Sequence, residues 1–137
     1  MFIKGQDFRV IFSDFAEKHF CKSFFKKYKR QWIETGKTIR STLEHAHQFE
    51  KTSLIDNIKF SQNDAIGIFK LDFRVAGTNT SPKTSGNRVI FAVCNNTCRI
   101  EILLVYGKDH CAKNQSETQW ILEQIKQNFP EYKNYVI

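Results

Sequence analysis

The chain has 137 residues, 41% hydrophobic and 14% aromatic, with 13 Phe and only 2 Pro. That composition fits one folded domain over residues 1–137 and excludes a disordered or collagen-like chain. Twenty-one Lys and Arg against 14 Asp and Glu leave a formal charge of +7, an excess expected of a protein that meets a polyanion.

FRVIFS (Phe8 to Ser13) is short, β-branched and aromatic, and predicts a strand. Its opening context, MFIKGQDFRVIFS, has too short an apolar stretch for a secretory signal, and no apolar run in the chain approaches membrane-spanning length. A cytoplasmic protein with no membrane contact is therefore expected. Ser13 or Asp14 offers an N-cap, and Asp14 with Glu17 has capping-box spacing. In the helix that follows, at about 100° per residue, Phe20, Cys21, Phe24, Phe25, Tyr28 and Trp32 share one side. Lys18, Lys22, Lys26, Lys29 and Arg30 share the other. The aromatic side is expected in the core; the basic side is either a solvated face or a polyanion-binding stripe.

A second helix is predicted over Ile33 to Glu50, with Ile39, Leu43, Ala46 and Phe49 as its apolar ridge. His45 and His47, two residues apart, should point to different faces, which disfavours a shared metal ion. The stretch from Thr52 to Asp64 reads as irregular. DAIGIFKLDFRVAG then reads as a long strand, with Phe69, Leu71, Phe73 and Val75 on one face and Lys70, Asp72 and Arg74 on the other. The loop TNTSPKTSGN is made of turn formers. RVIFAVC, an NNT hairpin turn and RIEILLVYG follow as two further strands. SETQWILEQIKQNF closes the series as a helix with Ser116 as N-cap and Gln119 completing the capping box. Trp120, Ile121, Ile125 and Phe129 are its buried side, and Pro130 ends it.

The order β-α-α-β-β-β-α predicts an α+β fold, an antiparallel meander with helices over one face and the other face free. Antiparallel pairing brings Arg88 next to Tyr106 and Lys108, with Lys83 in the loop that feeds the Arg88 strand. A solvent-facing Arg88 would contribute at most about 1 kcal/mol to stability. The four cysteines, Cys21, Cys94, Cys98 and Cys111, are expected as reduced thiols. A zinc site built from Cys94, Cys98, His110 and Cys111 would lack the two close pairs of a zinc ribbon, so no metal and no cofactor is expected.

KLDFRVAG, SPKTSGNRVIFAV and IEILLVYGKDH, in that order between about Lys70 and Cys111, resemble the RelE/ParE superfamily of bacterial toxins, closest to its HigB-type branch. The shared pattern is a Lys-x-x-x-Arg strand, a Lys- and Gly-containing loop, Gly-x-Arg with two apolar residues and an aromatic, and Leu-Leu-x-Tyr-Gly-Lys. The resemblance implies a RelE/ParE-like fold: an N-terminal strand and helical hairpin packed on an antiparallel sheet, with a C-terminal helix. It implies the toxin of a type II toxin–antitoxin system, a ribosome-dependent messenger RNA endoribonuclease that inhibits translation without a metal. In that chemistry the 2′-hydroxyl attacks the adjacent phosphorus, leaving a 2′,3′-cyclic phosphate and a 5′-hydroxyl. Arg88, Lys83, Tyr106 and Lys108 match the family's catalytic positions, and His110 is a further candidate acid or base. RNA-binding falls to Lys70 and Arg74, and to Lys18, Lys22 and Lys26 of the helix stripe. The implied partners are a cognate antitoxin, a small helix-turn-helix protein, together with the ribosome and its messenger. The sequence departs from the pattern at Asp72, where many relatives carry a basic residue, at Asp109, where some have Arg, and in a loop with one Lys in place of several. A gyrase-targeting toxin of the same fold and a non-catalytic basic module that binds nucleic acid or protein remain the alternatives.

Overall fold

The structure, a computed structural model, describes residues 5–49, 55–60, 66–107, 110–111 and 114–135, with backbone alone at 59–60 and 133–135. Strand β1 (Arg9–Phe12) ends at Ser13, whose hydroxyl accepts the Ala16 N–H at 3.1 Å and starts the first helix. That helix, α1 (residues 14–28), runs as an α-turn (Asp14–Ala16), a π-helical segment (Glu17–Cys21) and a regular stretch (Lys22–Tyr28). Lys29 breaks the run at φ 56° and ψ −120°, and α2 (Arg30–Glu44) departs from it. A 3-10 turn (Ala46–Gln48) follows. Four strands come next: β2 (Ile55–Phe60), β3 (Ile66–Phe73), β4 (Asn87–Cys94) and β5 (Arg99–Tyr106). The last helix, α3 (Glu117–Asn128), carries the expected capping box between Ser116 and Gln119, and a 3-10 segment (Pro130–Tyr135) follows it.

The five strands lie in the order β1-β5-β4-β3-β2. β2 to β5 form the antiparallel meander, and β1 adds to β5 in parallel, Arg9 opposite Arg99. The fold class is α+β, as the element order implies. Several details differ from the sequence reading: α2 covers Arg30–Glu44 in place of Ile33 to Glu50, and Phe49 falls beyond it. β2 lies in the stretch read as irregular, because IDNIKF is half polar and a register shift between Asn57 and Lys59 breaks its alternation. The parallel edge carries no local turn signal, since a whole helical hairpin separates β1 from the sheet it joins.

Both faces of the sheet are covered, which corrects the expectation of a free face. On one face Phe24 stacks on Trp32 with ring centres 4.8 Å apart, and both meet Phe73 from β3. On the other, Trp120 of α3 sits edge-on to Tyr106 at 4.8 Å. Val89 to Val93 and Ile102 to Tyr106 are accordingly without solvent exposure. Their unbroken apolar runs, VIFAV and ILLVY, are what strands buried on two sides require. In the first helix Phe20, Cys21 and Phe24 reach the core as expected, but Phe25, about 100° round from Phe24, stays 47% exposed.

Candidate functional site

Register places Asp72, Arg88 and Tyr106 side by side across β3, β4 and β5. The predicted neighbours Arg88 and Tyr106 are thus directly opposed. Their surroundings are not those of an open mouth. Arg88 is 7% exposed and Tyr106 fully buried, because α3 lies over them. Arg88 Nε stands 2.9 Å from Asp72 Oδ1 and 3.8 Å from Glu117 Oε2, and Lys83 Nζ lies 3.3 Å from Asp72 Oδ2. The Nε–H does not point at Asp72 Oδ1, so this close ion pair is not also a hydrogen bond, and neither atom has a hydrogen-bond partner among the described residues. The other guanidinium nitrogens donate to backbone carbonyls of the entering loop, Asn87 at 2.9 Å and Lys83 at 3.3 Å. Arg88 therefore braces the 83–87 loop against the sheet.

Among the described residues, two cations and two carboxylates make the cluster formally neutral. A phosphate clamp needs uncompensated positive charge aimed at the scissile oxygens, and here Asp72 and Glu117 already occupy it. Sequence reasoning had placed Asp72 as a departure from a family pattern and had missed Glu117 altogether. The only signal for Glu117 was its place in the first turn of the SETQ helix, which does not reveal what that turn faces. Its Oε2 accepts the Tyr106 hydroxyl at 2.5 Å. Burial, with Glu117 as the second cause, pushes the Tyr106 phenol far above its ordinary range, so it stays protonated and donates to Glu117.

His110 lies at the same end of the sheet. Its Nδ1 accepts the Gly107 N–H at 2.9 Å, and its ring meets Phe20 and Phe24 edge-on or tilted at 5.8 and 6.2 Å. With Lys27, Tyr28 and Asn87 it lines a cleft of 90 Å³. Lys108 and Asp109 lie outside the described residues. Lys70 is half-buried and register-paired with Asp56 of the edge strand, and exposed Arg74 donates to the Thr78 carbonyl at 3.2 Å. Neither joins the Arg88 ion pairs. The zinc set fails on distance: Cys94 and Cys98 flank one end of β5 and His110 and Cys111 follow the other, roughly 24 Å away along eight extended residues.

The surplus charge sits elsewhere. Between α1, α2 and β1 runs a groove of about 780 Å³, floored by Phe12, Cys21 and Trp32 and edged by Phe25 and Ile33, 47% and 49% exposed. Lys22, Lys26, Lys29, Lys37 and Arg40 line it against one carboxylate, Glu17. Arg40 is fixed there, donating to the Val10 carbonyl at 2.6 Å with its guanidinium over the Phe12 ring. Lys22 and Lys26 of the predicted RNA-binding stripe are thus on the groove's rim, while exposed Lys18 is outside its lining.

No protein-family model matches the chain, and no curated protein does either. Among solved structures it is similar to a chain of the archaeal RelE–RelB complex from Pyrococcus horikoshii OT3, at 17% identity and a TM-score of 0.49, over 75% of this chain and 97% of that one. A likeness of that degree assigns neither a ligand nor an activity to this chain.

Proposed function

We propose that the protein is the toxin of a two-protein toxin–antitoxin system, held in check by an acidic amphipathic segment of its partner seated in the α1–α2 groove. One observation carries this reading: exposed apolar side chains and a surplus of four positive charges share the same groove. RNA phosphates would answer the cations and leave Phe25 and Ile33 facing water. A helix with apolar anchors on one side and Asp or Glu beside them answers both. From the resemblance carried by residues 70–111, that partner is the cognate antitoxin, expected to be a small helix-turn-helix protein. The site of action is the cytoplasm, where the ribosomes are.

Ribosome-dependent messenger RNA cleavage is the activity we assign to the opposite end of the sheet, because Arg88, Lys83 and Tyr106 meet there and His110 stands at the same end. For that chemistry a phosphate must replace one carboxylate as the counter-ion of Arg88. Glu117 is the one able to leave, since its side chain is 29% exposed and Asp72 is 4% exposed. With Glu117 withdrawn, Arg88 and Lys83 would face the phosphorane with one opposing charge in place of two; a catalytic role for Lys108 rests on the resemblance alone. Tyr106 would be freed to donate to the leaving 5′-oxygen, and His110 is the candidate acceptor of the 2′-proton once its Nδ1 releases the Gly107 N–H. No metal or cofactor enters these steps.

The test is induced expression with growth curves and transcript 5′-end mapping, with and without the product of the adjacent reading frame. Growth arrest with new 5′ ends, both relieved by co-expression, is expected. Undisturbed growth removes the toxin reading. Arrest with intact transcripts removes RNA cleavage and favours a gyrase-type target.

A further inference from the structure

We propose that Asp7, His45 and His47 bind a divalent first-row metal ion of zinc's class, and that the ion clips the segment entering β1 to the end of α2. This site lies apart from the groove and from the Arg88 cluster, and rests on neither of their readings.

The helix that should have separated the two imidazoles does not continue through them. α2 ends at Glu44, His45 takes φ −111° and ψ 34°, and a 3-10 turn (Ala46–Gln48) begins. That break turns the two histidines back toward one point. They reach it with different atoms, His45 with its near nitrogen Nδ1 and His47 with its far nitrogen Nε2. Asp7 Oδ1 lies 2.8 Å from the first and 3.2 Å from the second. All three donor atoms fall within 4.8 Å of one another.

Those separations suit a metal. With bonds of about 2.0–2.1 Å, tetrahedral ligand atoms stand roughly 3.3 Å apart, near the 3.2 Å contact and about half an ångström beyond the 2.8 Å one. Two imidazole nitrogens and one carboxylate oxygen are donors that zinc, nickel and copper accept readily and that magnesium and calcium do not prefer. The donors are also held from behind by the backbone. The Phe8 N–H bonds to the Glu44 carbonyl at 2.9 Å, tying the residue after Asp7 to the residue before His45. Phe8 and Ala46, flanking the donors, are both buried. Asp7 and His45 are 66% and 43% exposed at the side chain, leaving the outer coordination positions to water and an ion free access. Without an ion the same atoms share protons as His–Asp pairs, so metal binding must displace those protons.

The experiment is calorimetric titration of the metal-free full chain with zinc chloride, alongside melting curves with and without zinc. One equivalent is expected to bind and to raise Tm. Asp7→Ala and His47→Ala should each weaken binding tenfold or more and abolish the Tm rise, while Cys98→Ser leaves both intact. Asp7 is exposed enough that its variant tests the site even if His47→Ala folds poorly. Cobalt(II) bound in place of zinc should show d–d bands without a thiolate-to-metal charge-transfer band. No stoichiometric binding, binding unchanged in Asp7→Ala, or a thiolate band would each overturn the site.

Discussion

Removing Arg88 takes away the guanidinium next to a carboxylate that has almost no water around it. Asp72, 4% exposed at the side chain, would keep only Lys83, itself half in solvent. Breaking a buried pair in this way costs about 3–5 kcal/mol, well above the 1 kcal/mol expected of a solvent-facing strand-end Arg. Arg88→Ala is therefore expected to lower stability by several kcal/mol in urea titration, and adding Asp72→Asn should restore more than half of the loss. A loss under 1 kcal/mol would mean that the pair is hydrated. How close Arg88 comes to Tyr106 was legible in the sequence, because one short hairpin fixes the register of β4 and β5. Its burial was not, because Glu117 arrives from a helix 29 positions further on and nothing local says which face that helix covers.

At the scale of elements, the first two helices set the groove. Their aromatic stripe was legible from the spacing of Phe20, Phe24 and Trp32, and the cap of α3 from Ser116 with Gln119; of the two candidates for the first cap it is Ser13, and not Asp14 paired with Glu17, that caps the helix. That a second helix follows was legible too, but not that the break falls at Lys29, ahead of Trp32, since Lys29 is a residue with no preference for the positive φ it adopts. A lysine at φ 56° and ψ −120° is strained by about 1–3 kcal/mol, and glycine there has no such penalty. Lys29→Gly should raise stability by roughly 1 kcal/mol in denaturant unfolding, and should at the same time weaken partner binding by removing a groove cation. An unchanged or lower stability would show that the corner is not strained. His45 and His47 teach the same lesson in reverse: their spacing argued against convergence only while a continuous helix was assumed.

At the scale of the whole molecule, three buried acids among the described residues make stability fall at alkaline pH. Burial pushes the Cys21 thiol up to about 12 from an ordinary 9.0. Burial, aided by Glu117 and Glu101 respectively, raises Tyr106 and Tyr132 well above their ordinary 10.0. For a group raised on folding, the unfolded chain releases its proton first. The stabilisation is thus complete below the unfolded value and drains away as pH climbs toward the folded one. Between pH 9 and 11 each unit should cost about 1.4 kcal/mol through Cys21 alone, with a steeper fall above 10 as the tyrosines join. Denaturant titrations from pH 7 to 11 check this, and Cys21→Ala should flatten the first part of the slope. A flat profile would mean that these groups are hydrated in the folded protein.

Charge at this scale was legible in composition and in the helix stripe, of which Lys22, Lys26 and Lys29 line the groove, but the second helix's share, Lys37 and Arg40, was not. Four of the excess positive charges gather in the α1–α2 groove, while Arg88 and Lys83 at the strand ends are neutralised by Asp72 and Glu117. The groove as the seat of an acidic protein partner is the central claim, and the affinity of the purified chain for the product of the adjacent reading frame tests it most directly. Lys26→Glu with Lys37→Glu places two like charges against that partner, and juxtaposed like charges cost several kcal/mol. Calorimetry is expected to give tight, salt-sensitive binding for the native chain and binding on the order of 10²-fold weaker for the double variant, with unchanged melting curves. Equal affinity for the two proteins, or no binding by the native chain, would contradict it.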